Sequence, residues 1–267
     1  MSNKPILSPG PFQSDQLRSG DPYELSNGHP IQCLPTGGRG SRANLYGASV
    51  LESDPEVESA GIDTGFSPVP GMLRAPDVAI GNVSDKPGWV KDIPALAVEY
   101  ADTGQDEAEL SAKIEDFLGT GVRYIWVVRL TGTRRVEVHE LGKAKHIVYA
   151  DDQLTAPGIL KNPVPVIALY DREAAHDVTF NNLLQRKGYD SLEQVQAEGK
   201  AEGEVKGQEK GKIEGIRLSI REILLNNNIS MNKSFLKTLE ETTDTAILKQ
   251  WLVRATTAQT IDDVRSG

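Results

Sequence analysis

IPALAVEYADTGQDEAELSAKIEDFLGTGVRYIWVVRL, residues 93–130, reads as strand, helix and strand in succession. IPALAVEYA, residues 93–101, is a run of small and β-branched apolar residues bounded by turn formers. DEAELSAKIEDFLG, residues 106–119, is amphipathic. Leu110, Ile114, Phe117 and Leu118 share one face, acidic residues crowd the first turn, and Gly119 or Gly121 supplies the stop. VRYIWVVRL, residues 122–130, is the strongest strand signal in the chain, and RRVEVHEL, residues 134–141, alternates as its hairpin partner across TGT.

Upstream, LRAPDVAIG, residues 73–81, reads as a further strand, and YELSNGHPIQCL, residues 23–34, as a short hairpin turning at Asn27-Gly28. PTGGRGSRANLYG, residues 35–47, reads as a flexible loop carrying Arg39 and Arg42. The order of elements indicates an α/β fold with a mixed sheet, of α+β type.

One residue of the first run calls for explanation. Glu99 is a carboxylate on an otherwise apolar strand, and a buried, unpaired carboxylate is costly. Asp77 follows Pro76 at the start of the neighbouring strand, and Lys113 lies on the helix that follows Glu99. Two acids from adjacent strands can hold one hard divalent cation. Metal-assisted phosphodiester hydrolysis needs that pair, with a nearby ammonium to position water or offset phosphate charge. The plain structural alternatives are a strand cap for Asp77 and an exposed helix ion pair with Glu109 for Lys113. The four histidines lack metal-pair or triad spacing, and GGRG at 37–40 lacks the Lys-Ser/Thr of a phosphate-binding loop.

Composition narrows the classes. The chain has 267 residues, a net charge of −9 and one cysteine, Cys33. A broad basic surface for DNA is excluded, although a local cleft with metal ions is not. A single cysteine rules out an internal disulfide and multi-cysteine zinc sites, and fits a reducing cytosol. No run of about eighteen apolar residues predicts a membrane helix.

At these residues the sequence resembles the Uma-two family of restriction endonucleases, within the PD-(D/E)XK nuclease superfamily. The resemblance spans roughly residues 21–172. It rests on YELSNG at 23–28, APDVAI at 75–80, PALAVEY at 94–100, KIEDFLGTGVRYIWVV at 113–128 and PGILKNPVPVIALYD at 157–171. It implies a restriction-endonuclease-like core, DNA as partner and Mg²⁺, or alternatively Mn²⁺, as cofactor. It assigns Asp77 and Glu99 to the metal and moves the lysine, which in the superfamily usually stands two residues after the second acid, from Ala101 to Lys113. Glu24 is a candidate additional acidic ligand or structural contact, and Arg39 and Arg42 are candidate phosphate contacts. The chain departs from many relatives at Ala95, Phe117 and Arg129.

The expected division is a flexible segment over 1–20, a nuclease domain over 21–175, a helical glycine-repeat linker over 176–215 and a small helical module over 216–267. In the linker, glycines recur at 199, 203, 207, 211 and 215. Five interior glycines cost a helix roughly 5 kcal/mol against alanine. A solvated spacer fits this composition better than a coiled-coil face that would bring a homo-oligomer. Ser230 and Thr243 are candidate helix caps in the last module. A second functional reading stays open: a degenerate nuclease fold that acts in assembly through its tail.

Overall fold

The computed structural model describes residues 10–265 and divides into two compact units, Met1–Ser191 and Leu192–Gly267. The first unit opens with a hairpin of β1 (Tyr23–Ser26) and β2 (His29–Gln32). Its turn is the expected one: Asn27 and Gly28 both take positive φ, 48° and 78°, as a two-residue turn of the primed type requires. Residues 1–9 of the expected flexible lead-in lie outside the described residues. Further on, Phe12 and Leu17 pack with Leu25 and Leu73, because the hairpin leaves an apolar face that they cover.

The expected loop over 35–47 is a correction. Residues Gly38–Glu52 form helix α1. Its glycines suggest a turn when read locally, but Ala43, Val50 and Leu51 are buried against the sheet, and that tertiary packing outweighs propensity. Gly47 is needed for close approach, since a β-carbon there would collide with Tyr100 Oη.

A six-stranded mixed sheet runs in the order β3 (Ala60–Ile62), β4 (Val78–Ile80), β5 (Leu96–Ala101), β6 (Tyr124–Arg129), β7 (Arg135–Glu140) and β8 (His146–Tyr149). Between β5 and β6 lies α2 (Glu107–Gly119), so these two strands pair in parallel while all other neighbours are antiparallel. Asp106 caps α2 by accepting from the amides of Ala108 and Glu109. The strand expected over 73–81 is shorter than anticipated. Leu73 and Arg74 bridge to Leu25 and Phe66 instead, Pro76 has no N–H to donate, and ladder pairing with β5 starts only at Val78.

Alternation along β5 sorts its side chains. Val98 and Tyr100 join the core that holds α1 and α3 (Arg172–Arg186), while Ala97 and Ala101 join the core under α2. Glu99 therefore points to the α2 side. Two short strands, β9 (Gln153–Leu154) and β10 (Val164–Pro165), and a single 3₁₀ turn at Val166–Leu169 complete the unit before α3. Asn182 and Arg186 tie α3 to the end of α1 through Val50, Ser53 and Glu52.

In the second unit, α4 (Leu192–Asn226) carries all five repeat glycines on an exposed, continuous helix. Its last turns bury Ile220 and Leu224 against α5 (Lys233–Glu241), α6 (Thr245–Ala255) and α7 (Ile261–Arg265). The caps of α5 and α6 are Asn232 and Asp244, not Ser230 and Thr243. Each of these side chains accepts from backbone amides in the first turn of its helix, the position the two expected residues miss by one or two. Among the described residues no helix is long and apolar enough to cross a membrane.

Candidate active site

All six residues of β5 are buried, and Glu99 is 7% exposed. Asp77 immediately precedes Val78, which pairs with Val98, one step along from Glu99, and it lines the same cleft as Glu99. Asp77 is held from two sides: its Oδ2 accepts from the Tyr100 amide at 2.6 Å and its Oδ1 from Asn44 Nδ2 at 3.1 Å.

Lys113 turns inward from α2 and does not take up the exposed pairing with Glu109. Its Nζ donates to Ala75 O at 2.7 Å and to Glu99 Oε2 at 3.1 Å. Glu99 Oε1 lies closer, at 2.8 Å, yet off the direction of a hydrogen bond, and so is a buried acceptor with an ion-pair contact but, among the described residues, no hydrogen-bond partner. Glu24 Oε1 stands 3.2 Å from the same ammonium. Glu24 is fixed in turn by Arg74, whose Nη1 donates to Glu24 Oε2 at 3.0 Å and whose Nε donates to Asp116 Oδ2 at 2.8 Å.

These groups lie on a cleft of about 380 Å³ bounded by the β1–β2 hairpin, the segment leading into α1, and the loop from β5 into α2. Burial pushes Glu99 up to about 8, with the Lys113 ammonium acting against it, and also raises Asp77. For Lys113 burial works downwards, but Glu99, Glu24 and Asp77 outweigh it and hold the ammonium above its ordinary range.

Asp77, Glu99, Lys113 and Glu24 thus converge. The two arginines do not enter the cleft. Arg39 spans its rim to bond Asp102 and Thr103, and Arg42 donates to Tyr46 Oη. Sequence reasoning passed over Arg74, Asp116, Asn44 and Asp63, which lines the cleft. Arg74 carried the same signal as Glu99, a charge inside an apolar run. Asn44 lay hidden in the segment taken for a loop.

Does the donor set suit a divalent cation? Asp77 and Glu99 offer hard carboxylate oxygens to the same cleft, and among the described residues Glu99 Oε1 is an acceptor without a hydrogen bond. Among the described residues no three His, Cys, Asp or Glu side chains stand close enough to hold a metal unaided. Two carboxylates suit a hard divalent cation that keeps several of its waters.

A mixed sheet with one parallel pair, a helix between the paired strands, and acids from adjacent strands facing that helix define the restriction-endonuclease-like class of α/β proteins. One solved structure of similar fold comes from Anabaena variabilis ATCC 29413 and is described as a "putative nuclease belonging to DUF820". It is 16% identical, covers 62% of this chain and 99% of its own, and superposes with a TM-score of 0.52. The Uma2 family model, described as "Putative restriction endonuclease", matches residues 12–165, more than half of the chain, and the chain belongs to that family. No curated protein matches it.

Proposed function

We propose that the chain is a divalent-metal-dependent endonuclease that hydrolyses phosphodiester bonds of DNA in the cleft of Asp77, Glu99 and Lys113. The observation that carries this reading is the convergence of three side chains, distant in sequence, on one cleft: Asp77 and Glu99 line it together, with the Lys113 ammonium 2.8 Å from Glu99. Family membership supports the substrate class.

Asp77 and Glu99 would hold Mg²⁺ or Mn²⁺. Such a cation, when bound there, would polarise the phosphate and lower the pKa of water. Lys113 donates to Ala75 O and Glu99 Oε2 and has an ion-pair contact with Glu24 Oε1. If Glu99 gave its contact to a cation, Lys113 would keep Ala75 O and Glu24 as anchors and have one N–H for the attacking water or a phosphate oxygen. Glu24 then acts as the anchor of the lysine. The two amide donors on Asp77 fix its carboxylate plane before substrate arrives.

Plasmid nicking with Mg²⁺ or Mn²⁺ tests the assignment. Lys113→Ala is expected to lower the rate by about 10²–10⁴-fold, the scale of a lost positioned proton donor. Equal nicking by both chains, or none by either on supercoiled, linear and single-stranded DNA, rejects it. Asn44→Ala is expected to weaken Mn²⁺ binding by about 10–100-fold in calorimetry, as loss of a group that orients a ligand does. Unchanged affinity would leave Asn44 with a packing role only.

A further inference from the structure

The cleft is a poor host for a polyanion by itself. Seven carboxylates line it against two cations, Arg74 and Lys113, and both cations are already paired with carboxylates. Three further cations, at the start of α1 and on the adjoining strand ends, are committed as well. Arg39 is paired with Asp102, Arg129 with Glu107 and Glu137, and Arg135 with Glu137. DNA that reaches this cleft needs positive charge from elsewhere.

Two guanidinium groups at the same end of the sheet are differently placed. Arg42 donates from Nε and Nη2 to Tyr46 Oη at 3.3 and 3.0 Å, with its Cζ 5.8 Å from that ring's centroid. Arg134 lies over Tyr170, its Cζ 4.6 Å from the ring centroid. Among the described residues neither makes an ion pair, and both are exposed. Tyrosine orients each guanidinium without neutralising it, so less freedom is lost when a phosphate is bound.

Connectivity places both pairs beside the cleft, on the sheet face opposite α2. Arg42 stands on α1 between Arg39, which reaches Asp102, and Asn44, which reaches Asp77. Arg134 immediately precedes β7, whose first residue, Arg135, pairs with Arg129, itself paired with Ala101 at the end of β5. Tyr170 follows Leu169, whose carbonyl accepts from Tyr100 Oη, while Gly47 lets α1 close on that same hydroxyl. We propose that the DNA backbone crosses the protein on this α1–α3 side, held by two arginine–tyrosine pairs, Arg42/Tyr46 and Arg134/Tyr170. The inference rests on the nuclease reading above and adds to it the surface that holds the substrate.

The test is binding of a fluorescein-labelled 20-base-pair duplex in Ca²⁺, followed by anisotropy from 50 to 200 mM KCl. The full chain is compared with the double variant Arg42→Ala/Arg134→Ala and with Arg42→Lys/Arg134→Lys. Each phosphate contact contributes about 0.9 to the slope of log affinity against log salt. The alanine variant is therefore expected to lose about 1.8 from that slope and to bind about tenfold more weakly at 100 mM. The lysine variant, which keeps the charges, is expected to recover the slope. A double-alanine variant whose affinity and slope match the native chain overturns this surface and leaves the nuclease reading standing. Absence of binding by the native chain at 50 mM KCl overturns both.

Discussion

Glu99→Gln is expected to slow metal-dependent cleavage on the order of 10³-fold while leaving stability within about 1 kcal/mol of the native chain. Glutamine keeps the shape of the side chain on β5 and removes a charge that burial disfavours. Lys113 is not stranded by the change, because Glu24 and Ala75 O remain as its partners. What disappears is one of two anionic donors for the cation, and the expected rate loss is on the order of 10³-fold, the scale of removing one preorganised charge-stabilising group. Thermal unfolding in EDTA and plasmid nicking in Mg²⁺ measure the two effects separately. A variant that unfolds far more readily but cuts at the native rate would make Glu99 a structural residue.

The largest effect on stability is expected from Arg74→Ala. The Arg74 side chain is 1% exposed and bridges Glu24 to Asp116. Removing it leaves two largely buried carboxylates without their shared counter-charge, a change worth about 3–5 kcal/mol. For a unit of this size, about 2–4 °C per kcal/mol gives a fall in Tm of roughly 6–20 °C. Cleavage should fall too, since Glu24 loses the group that holds it against Lys113. A Tm shift below a few degrees would show that Glu24 and Asp116 are well solvated without Arg74.

Much of the core was legible because it is periodic. The β5, α2 and β6 segments each carry an unbroken pattern, and the structure places them within a few residues of the expected limits. The Asn27-Gly28 turn was legible for a local reason too, since few residue pairs accept two positive φ values. Helix α1 was not, because its stability comes from the sheet it covers. Reading Gly37, Gly38, Gly40 and Gly47 as loop formers follows propensity; the close approach of Gly47 to Tyr100 becomes visible only once both are placed. The same holds for Asn44, which matters only through its contact with Asp77.

Sequence alone determined which side chains could do chemistry: a carboxylate embedded in an apolar strand, a second after a proline, and a lysine on the following helix. Hydrophobic periodicity and the cost of burying charge are local properties, and they suffice for that much. Only the tertiary structure decided that Lys113 turns towards Glu99 rather than Glu109, that Glu24 and Arg74 back it, and that Arg42 and Arg134 lie against tyrosine rings. Those outcomes depend on strand register and on α1 and α2 approaching opposite faces of one sheet, and contacts between residues tens of positions apart leave no local pattern to read.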